Sequence, residues 1–287
     1  VRIAFLNRGR SHPGGDVIAL DETMAALRRR GHFCEETWPG DARLADGRFD
    51  LAHLYHCNFD WAWKNYRAVA AISLPFVVTP VYYSGPLLCS VTVDQIRHML
   101  TAARFILPFS RVEAKELGKE VWGKPVVTTP IPNGTGLQFI SDAPMPARPI
   151  DVLCVAARHL NDKGNDRVLR AWPEAKAVCG VPYKDMPVLY RKAKVFVCAS
   201  DSERMSLTIG EALCSSCRVL ATKHNWGNEW YPGLAIFDPD DTQTIRNRID
   251  AALAIPAWDY TPNDTARRLT WDHVVEHLES IYRKALR

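Results

Sequence analysis

The chain has 287 residues, of which 47% are hydrophobic and 24% charged, with a formal net charge of +4. That composition excludes a disordered, collagen-like or coiled-coil chain, and so mild a charge excludes a protein dominated by nucleic-acid contacts. The length is too great for one ordinary core and suits two, of about 100–150 residues each.

Eight cysteines at irregular spacings, several inside apolar runs such as Val195-Phe196-Val197-Cys198, read as free buried thiols in a reducing compartment. No stretch reads as a signal peptide or a membrane span, so a cytoplasmic protein is expected. The triplet Arg28-Arg29-Arg30 reads as dipole compensation at a helix end, with a membrane-surface or polyanion contact as the alternative.

In chain order, Val1–Leu6 is a short apolar run of the kind that forms a buried parallel strand. A loop over 7–15 carries Pro13-Gly14-Gly15. An amphipathic helix over 16–30 follows, with Val17, Leu20, Met24 and Leu27 on one face and Gly31 closing it. Strands are predicted at 51–55, 76–80, 105–108 and 126–131, with helices over 61–71, 93–103 and 111–121. The three-proline segment 141–149 reads as a linker. A second alternating half then begins. Its strands are predicted at 151–156, 177–179, 195–198 and 218–222, with a strand-like 234–237. Its helices are predicted at 165–172, 186–192, 206–214, 241–254 and 271–286. Two βα halves imply an α/β protein with two Rossmann-like domains and ligand sites at the carboxyl ends of the strands.

Four segments carry chemistry. Arg158 and Lys163 stand in a loop leaving a strand and entering a helix, where guanidinium, ammonium and helix dipole favour one anion, such as a diphosphate. A salt-bridging surface loop is the bland alternative. Glu203 and Glu211 bracket the next loop and helix, spanning roughly 10 Å at about 1.5 Å per residue. That is the reach of a nucleotide-sugar from sugar hydroxyls to ribose diol, and the amides around Ser206 and Leu207 could meet the phosphates between. A solvated helix face is again the bland reading. Pro132-Asn133-Gly134-Thr135 is a turn, and Gly14-Gly15 would let backbone approach a phosphate closely.

Taken together, Gly14-Gly15, Ile131-Pro132-Asn133-Gly134, Arg158…Lys163-Gly164 and Glu203…Glu211-Ala212-Leu213 fall in one order. In that order the chain resembles, over nearly its whole length, the family-4 group of retaining glycosyltransferases (glycosyl transferases group 1). The resemblance implies the GT-B fold: an acceptor-side domain over 1–146, a donor-side domain over 147–265, and a C-terminal helix, 266–287, returning to the first. It implies a retaining, metal-independent glycosyltransferase without cofactor, working by front-face attack. Glu203, Arg158 and Lys163 would be catalytic, and Gly14, Gly15, Ser206, Leu207 and Glu211 would bind the donor. Tyr82 and Asn133 are candidates for a sugar or acceptor contact. The acceptor is left open between glycan, lipid, protein and modified nucleic-acid base, and the oligomeric state is unassigned.

Three departures from the family pattern stand out. Arg204-Met205-Ser206 replaces a small Gly-x-Gly, Ser216 and Arg218 replace a Gly and a Pro, and Tyr82 stands where the family has a His. The second half is also shorter by about one βαβ step between Trp172 and Ala177. These departures keep an alternative in view, a catalytically impaired nucleotide-binding or scaffold protein of the same fold. An oxidoreductase has little support, because the first loop lacks G-x-G-x-x-G. Asp238-Pro239-Asp240, His53/His56, His273/His277 and Cys214/Cys217 have metal-like or redox-like spacings but read as structural. Trp61, Trp63 and Tyr66 are divided between a sugar or base site and the core.

Overall fold

In a computed structural model of the protein, residues 1–10, 14–83, 90–140, 147–156, 162–255 and 264–287 are described. The first half runs β1 (Arg2–Leu6), α1 (Gly15–Arg29), β2 (Phe33–Thr37), α2 (Ala42–Ala45), β3 (Leu51–Tyr55), α3 (Asp60–Ala71), β4 (Phe76–Thr79), α4 (Val93–Ala102), β5 (Phe105–Ile106) and α5 (Arg111–Leu117). The second runs β6 (Ile150–Ala156), α6 (Asn165–Ala171), β7 (Lys176–Cys179), α7 (Met186–Arg191), β8 (Ala193–Cys198), α8 (Leu207–Cys214), β9 (Arg218–Thr222), β10 (Ala235–Phe237), α9 (Thr242–Ala254), α10 (Asp264–Arg268) and α11 (Trp271–Ala285). The chain forms two compact units, Val1–Pro132 with Trp271–Arg287, and Asn133–Thr270. No helix of the described residues is long and apolar enough to cross a membrane.

Each unit is built on a five-stranded sheet, ordered β2-β1-β3-β4-β5 in the first and β10-β9-β8-β6-β7 in the second, and every strand pair is parallel. Numbered from its own first strand, each sheet has the doubly wound order 2-1-3-4-5. The central strands are apolar because helices cover both faces: Ile3–Leu6 and Val195–Val197 are almost wholly buried.

One strand expectation fails and one strand is missed, each for a local reason. The segment Val126–Ile131 is extended but joins no sheet ladder. Pro125, Pro130 and Pro132 lack donors, and only Thr129 N and Ile131 N reach across, to Ile106 O and Pro108 O. Conversely β2 was not predicted, because Phe-Cys-Glu-Glu-Thr at a sheet edge buries only Cys34 and Thr37. The helix predicted over 111–121 ends as α5 at Leu117 and widens into a π-helical turn over Gly118–Trp122. In the second unit the connection from α6 to β7 is only Trp172–Ala175, and the sheet is still five-stranded.

The last helix belongs to the first unit. The apolar stripe of α11, Val274, Val275, Leu278 and Ile281, is buried, and the helix packs along α1. His53, in β3, joins the Tyr282 hydroxyl through Nδ1 (2.7 Å) and the Thr79 hydroxyl through Nε2 (2.9 Å). Complete burial pulls His53 down to about 3, so the ring is neutral at physiological pH. The arginine triplet is engaged within this unit. Arg28 donates to Cys34 O, Arg29 pairs with Asp272, and Arg30 pairs with Glu276 and Glu279.

Candidate functional site

In open parallel sheets ligands bind where the strand order reverses, beyond the carboxyl ends of the two strands flanking the reversal. In the second unit that point lies between β6 and β8, paired in register Val152↔Val195 and Leu153↔Phe196. The loop after β6 leads to Lys163, and the loop after β8 leads to Glu203. Gly164 brings the two loops together. At φ +72 its missing side chain lets the backbone press on the β8 loop, where a Cβ would stand 2.1 Å from Ala199 O.

Lys163 itself takes φ 65, a left-handed conformation that costs a non-glycine residue about 1–2 kcal/mol. Held so, its Nζ lies 2.6 Å from Glu203 Oε1. The carboxylate is largely buried, at 11% side-chain exposure, while the lysine side chain is 45% exposed. Glu203 is fixed by its backbone: its N–H donates to His224 O (3.1 Å) and its carbonyl accepts from Trp226 N (2.9 Å). The β8 loop is thereby knitted to the β9 loop. Arg158 lies outside the described residues.

The N-terminus of α8 adjoins this pair in sequence. Ser206 is its N-cap, in extended conformation, but its hydroxyl bonds with the Thr208 hydroxyl (2.9 Å) rather than capping the backbone. Ser206 N donates to Asn225 Oδ1 (3.3 Å), and Leu207 opens the helix, half-buried. Glu211 differs sharply from Glu203. It is 4% exposed and accepts from the Tyr190 hydroxyl at 3.1 Å. Burial first, and then the Glu211 charge, hold the Tyr190 phenol well above its ordinary value, so it stays a donor. Gly210 admits this packing, since a Cβ there would meet Thr135 Oγ1 at 2.6 Å and the Tyr231 hydroxyl at 2.8 Å.

Asn133 holds the loop between Glu203 and α8 in place. Its backbone N–H donates to Met205 Sδ (3.0 Å) and its Nδ2 to Met205 O (3.0 Å). Arg204, which replaces a small residue of the family pattern, lies with its guanidinium 3.9 Å from the Trp226 ring centroid and donates to Ser202 Oγ (2.9 Å). Asn225, Trp226 and Tyr190 were not anticipated. The run Asn225-Trp226-Gly227-Asn228, a turn cluster directly after a strand, was the available signal.

The other candidates belong to the first unit. Gly14 is the N-cap of α1 and Gly15 its first residue. A Cβ on Gly14 would meet Arg8 Nη2 at 2.7 Å and Asp16 Oδ1 at 2.9 Å, so the glycine makes room for that ion pair. Tyr82 is a core residue, 3% exposed, with its N–H on Glu113 Oε1 (2.6 Å) and its hydroxyl on Glu120 Oε2 (2.5 Å). Tyr66 is likewise core, and Trp63 packs against that core.

Among the described residues, His224, Asp238 and Asp240 present ligand-type atoms within 4.8 Å of one another. Both carboxylates already face cations: Asp238 pairs with Lys223 (2.5 Å) and Asp240 lies 3.7 Å from Arg167. Cys214 and Cys217 are buried free thiols. Cys217 Sγ donates to Tyr190 O (3.1 Å), and burial pushes the two up to about 11 and about 12.

No protein-family model matches the chain, and no curated protein matches it in sequence. Solved structures do match in three dimensions. The sucrose-phosphate synthase of Thermosynechococcus elongatus superposes with a TM-score of 0.76 at 15% identity, covering 99% of this chain and 98% of that one. Anabaena HepE, solved with UDP and glucose, gives 0.77 at 14% identity over 99% of each chain. A glycosyltransferase from Rickettsia africae gives 0.75 at 13% identity, over 100% of this chain and 98% of that one. With two parallel doubly wound sheets and a last helix that returns to the first unit, the chain has the GT-B fold of these glycosyltransferases.

Proposed function

We propose that the chain is a retaining, metal-independent glycosyltransferase that moves a sugar from a nucleoside-diphosphate sugar to a hydroxyl acceptor. The observation that carries this reading is the Lys163–Glu203 pair at the switch point of the second unit, beside the uncapped start of α8. Lys163 and Arg158 neutralise the charge that grows on the leaving diphosphate, and the first-turn amides of α8 from Leu207 onwards take phosphate oxygens, with Ser206, its own amide held by Asn225 Oδ1, offering its hydroxyl. Glu203 orients the donor sugar and stabilises the positive charge that develops as the bond to phosphate breaks. Glu211, from its buried position, accepts from the ribose hydroxyls. Gly14 and Gly15, at the start of α1, would allow close backbone approach to a phosphate.

In the reaction the acceptor hydroxyl attacks the anomeric carbon from the face that the diphosphate leaves. The carbon–oxygen bond to phosphate breaks, the new glycosidic bond forms on the same face, and a phosphate oxygen of the departing diphosphate takes the hydroxyl proton. No protein nucleophile is needed, so positioning and charge neutralisation are the protein's contribution. The solved relatives in complex with UDP and glucose or UDP-glucose support this donor class.

A second reading is favoured by Tyr82, which stands where the family has a histidine and is buried in the core. On that reading the protein binds nucleotide without transferring sugar. A screen of pooled nucleotide-sugars for nucleoside-diphosphate release separates the two. Release by the parent and its loss in Lys163→Ala support transfer, whereas nucleotide binding without release supports the second reading.

A further inference from the structure

The first unit has a switch point of its own, between β1 and β3, whose register pairs Leu6 with Leu54. Asn7 follows β1 and His56 follows β3. Asn7 is 5% exposed, and among the described residues neither its side-chain oxygen nor its amide nitrogen has a hydrogen-bond partner. His56 is equally buried and takes φ 69, with its N–H anchored on Thr79 O (2.8 Å). Among the described residues neither ring nitrogen makes a hydrogen bond, and Nε2 lies 3.8 Å from Asp16 Oδ2. Burial pulls His56 below its ordinary value against the opposing pull of Asp16, so the ring offers one donor and one acceptor. Asp16 is also held by Arg8, whose Nη2 donates to its Oδ1 at 2.7 Å.

Aromatic rings surround His56. His56 meets Trp61 edge-on at 5.0 Å and Phe59 at 5.5 Å, and lies parallel to Tyr83 at 6.5 Å. Phe59 and Trp61 stack on one another at 5.5 Å, and all three outer rings are half-buried. Tyr83 is clamped by the buried Asn58 amide, which donates to Tyr83 O (2.8 Å) and accepts from Tyr83 N (3.2 Å). A buried polar group without a partner loses its hydrogen bonds to water and gains none in return. Two such side chains at one switch point, one of them a strained histidine, are therefore arranged for something that binds there.

We propose that Asn7, Asp16 and His56, backed by Phe59, Trp61 and Tyr83, form a saccharide-binding site. On the reading above, the hydroxyl acceptor is then itself a sugar. A sugar has adjacent hydroxyls, each donor and acceptor, which match an amide, a carboxylate and a neutral imidazole, and it has apolar C–H faces to lay on aromatic rings. A lipid chain would leave the polar groups unpaired. An acidic ligand would meet Asp16. A base has no slot between Phe59 and Trp61, which already stack together.

Saturation-transfer NMR on the full chain, with glucose, galactose, N-acetylglucosamine and their disaccharides as probes, tests the site. At least one probe should take up saturation, strongest on its ring C–H protons. Trp61→Ala and Asn7→Ala should each weaken that binding at least tenfold and leave nucleoside-diphosphate affinity within twofold. Asn7→Ala should also keep or raise the melting temperature, because it removes unpaired buried groups, whereas a purely structural asparagine would lower it. No sugar bound by the parent, or sugar binding unchanged in both variants, overturns the site. So does a nucleoside that binds in a Trp61-dependent way in place of every sugar. Sugar binding that depends on Trp61, in a chain that binds no nucleoside diphosphate, supports this site and defeats the glycosyltransferase reading instead.

Discussion

Lys163 Nζ stands 2.6 Å from Glu203 Oε1, although the two residues are forty positions apart in the chain. The ammonium that should meet a diphosphate is thus held, without ligand, by the carboxylate that should face the sugar. Because the lysine is 45% exposed, the pair itself contributes at most about 1 kcal/mol to stability. Lys163→Ala should leave the melting temperature nearly unchanged and weaken nucleoside-diphosphate binding about tenfold or more, as befits a charge-assisted contact. Glu203→Gln frees the lysine, so calorimetry should show diphosphate affinity unchanged or tighter while turnover falls about 10²-fold. A loss of affinity in Glu203→Gln equal to that in Lys163→Ala would contradict this division of labour.

Ser216 carries the left-handed turn that ends α8, with φ 62. Its N–H bonds to Leu213 O and that of Cys217 to Ala212 O, the two bonds of a Schellman motif. A glycine suits that position best, as Gly31 shows after α1 at φ 85. Ser216→Gly should therefore stabilise the protein by about 1 kcal/mol, measured by urea unfolding. A lowered midpoint would show that the serine side chain matters more than the backbone strain.

Gly164→Ala should act in the opposite direction. The added methyl would need φ +72 and would press on Ala199 O, so a loss above about 2 kcal/mol is expected. Nucleotide affinity should fall with it, because the same contact sets Lys163 against Glu203. An unchanged unfolding midpoint would show that the two loops are not held together there.

The pH dependence follows from His53 and the buried thiols. His53 is held down to about 3, so the unfolded chain takes up its proton first as the pH falls. The stability it contributes is present above about pH 6.5 and is lost progressively between there and pH 3. His53→Gln should flatten that acid limb in urea titrations, and an identical limb in both proteins would reject the assignment. Cys154, Cys198 and Cys217 are pushed up to about 12, so their contribution, full below pH 9, is lost as the pH rises from 9 towards 12.

Much of this was legible in the sequence because apolar runs such as Ile3–Leu6 and Val195–Val197, short and each followed by a loop and a helical pattern, read as buried strands. Polar β2 gave no such signal, since an edge strand needs little burial, and the prolines around 126–131 defeated a β-rich run. At the site, residue order put Lys163 and Glu203 among the candidates, and the structure brings the two side chains together. It could not reveal that Asn133 is taken up by Met205, or that Tyr82 is core, because both depend on contacts far apart in sequence. His56 read as half of a spacing motif, whereas its meaning lies in the rings around it.

The most direct test of the central claim follows the anomeric proton of the donor by NMR while the chain turns over a nucleotide-sugar with a sugar acceptor. The account expects the donor signal to give way to a product anomeric signal of the same configuration, with nucleoside diphosphate released in equal amount. A donor signal that stays constant for every nucleotide-sugar bound, or a product of inverted configuration, would contradict it.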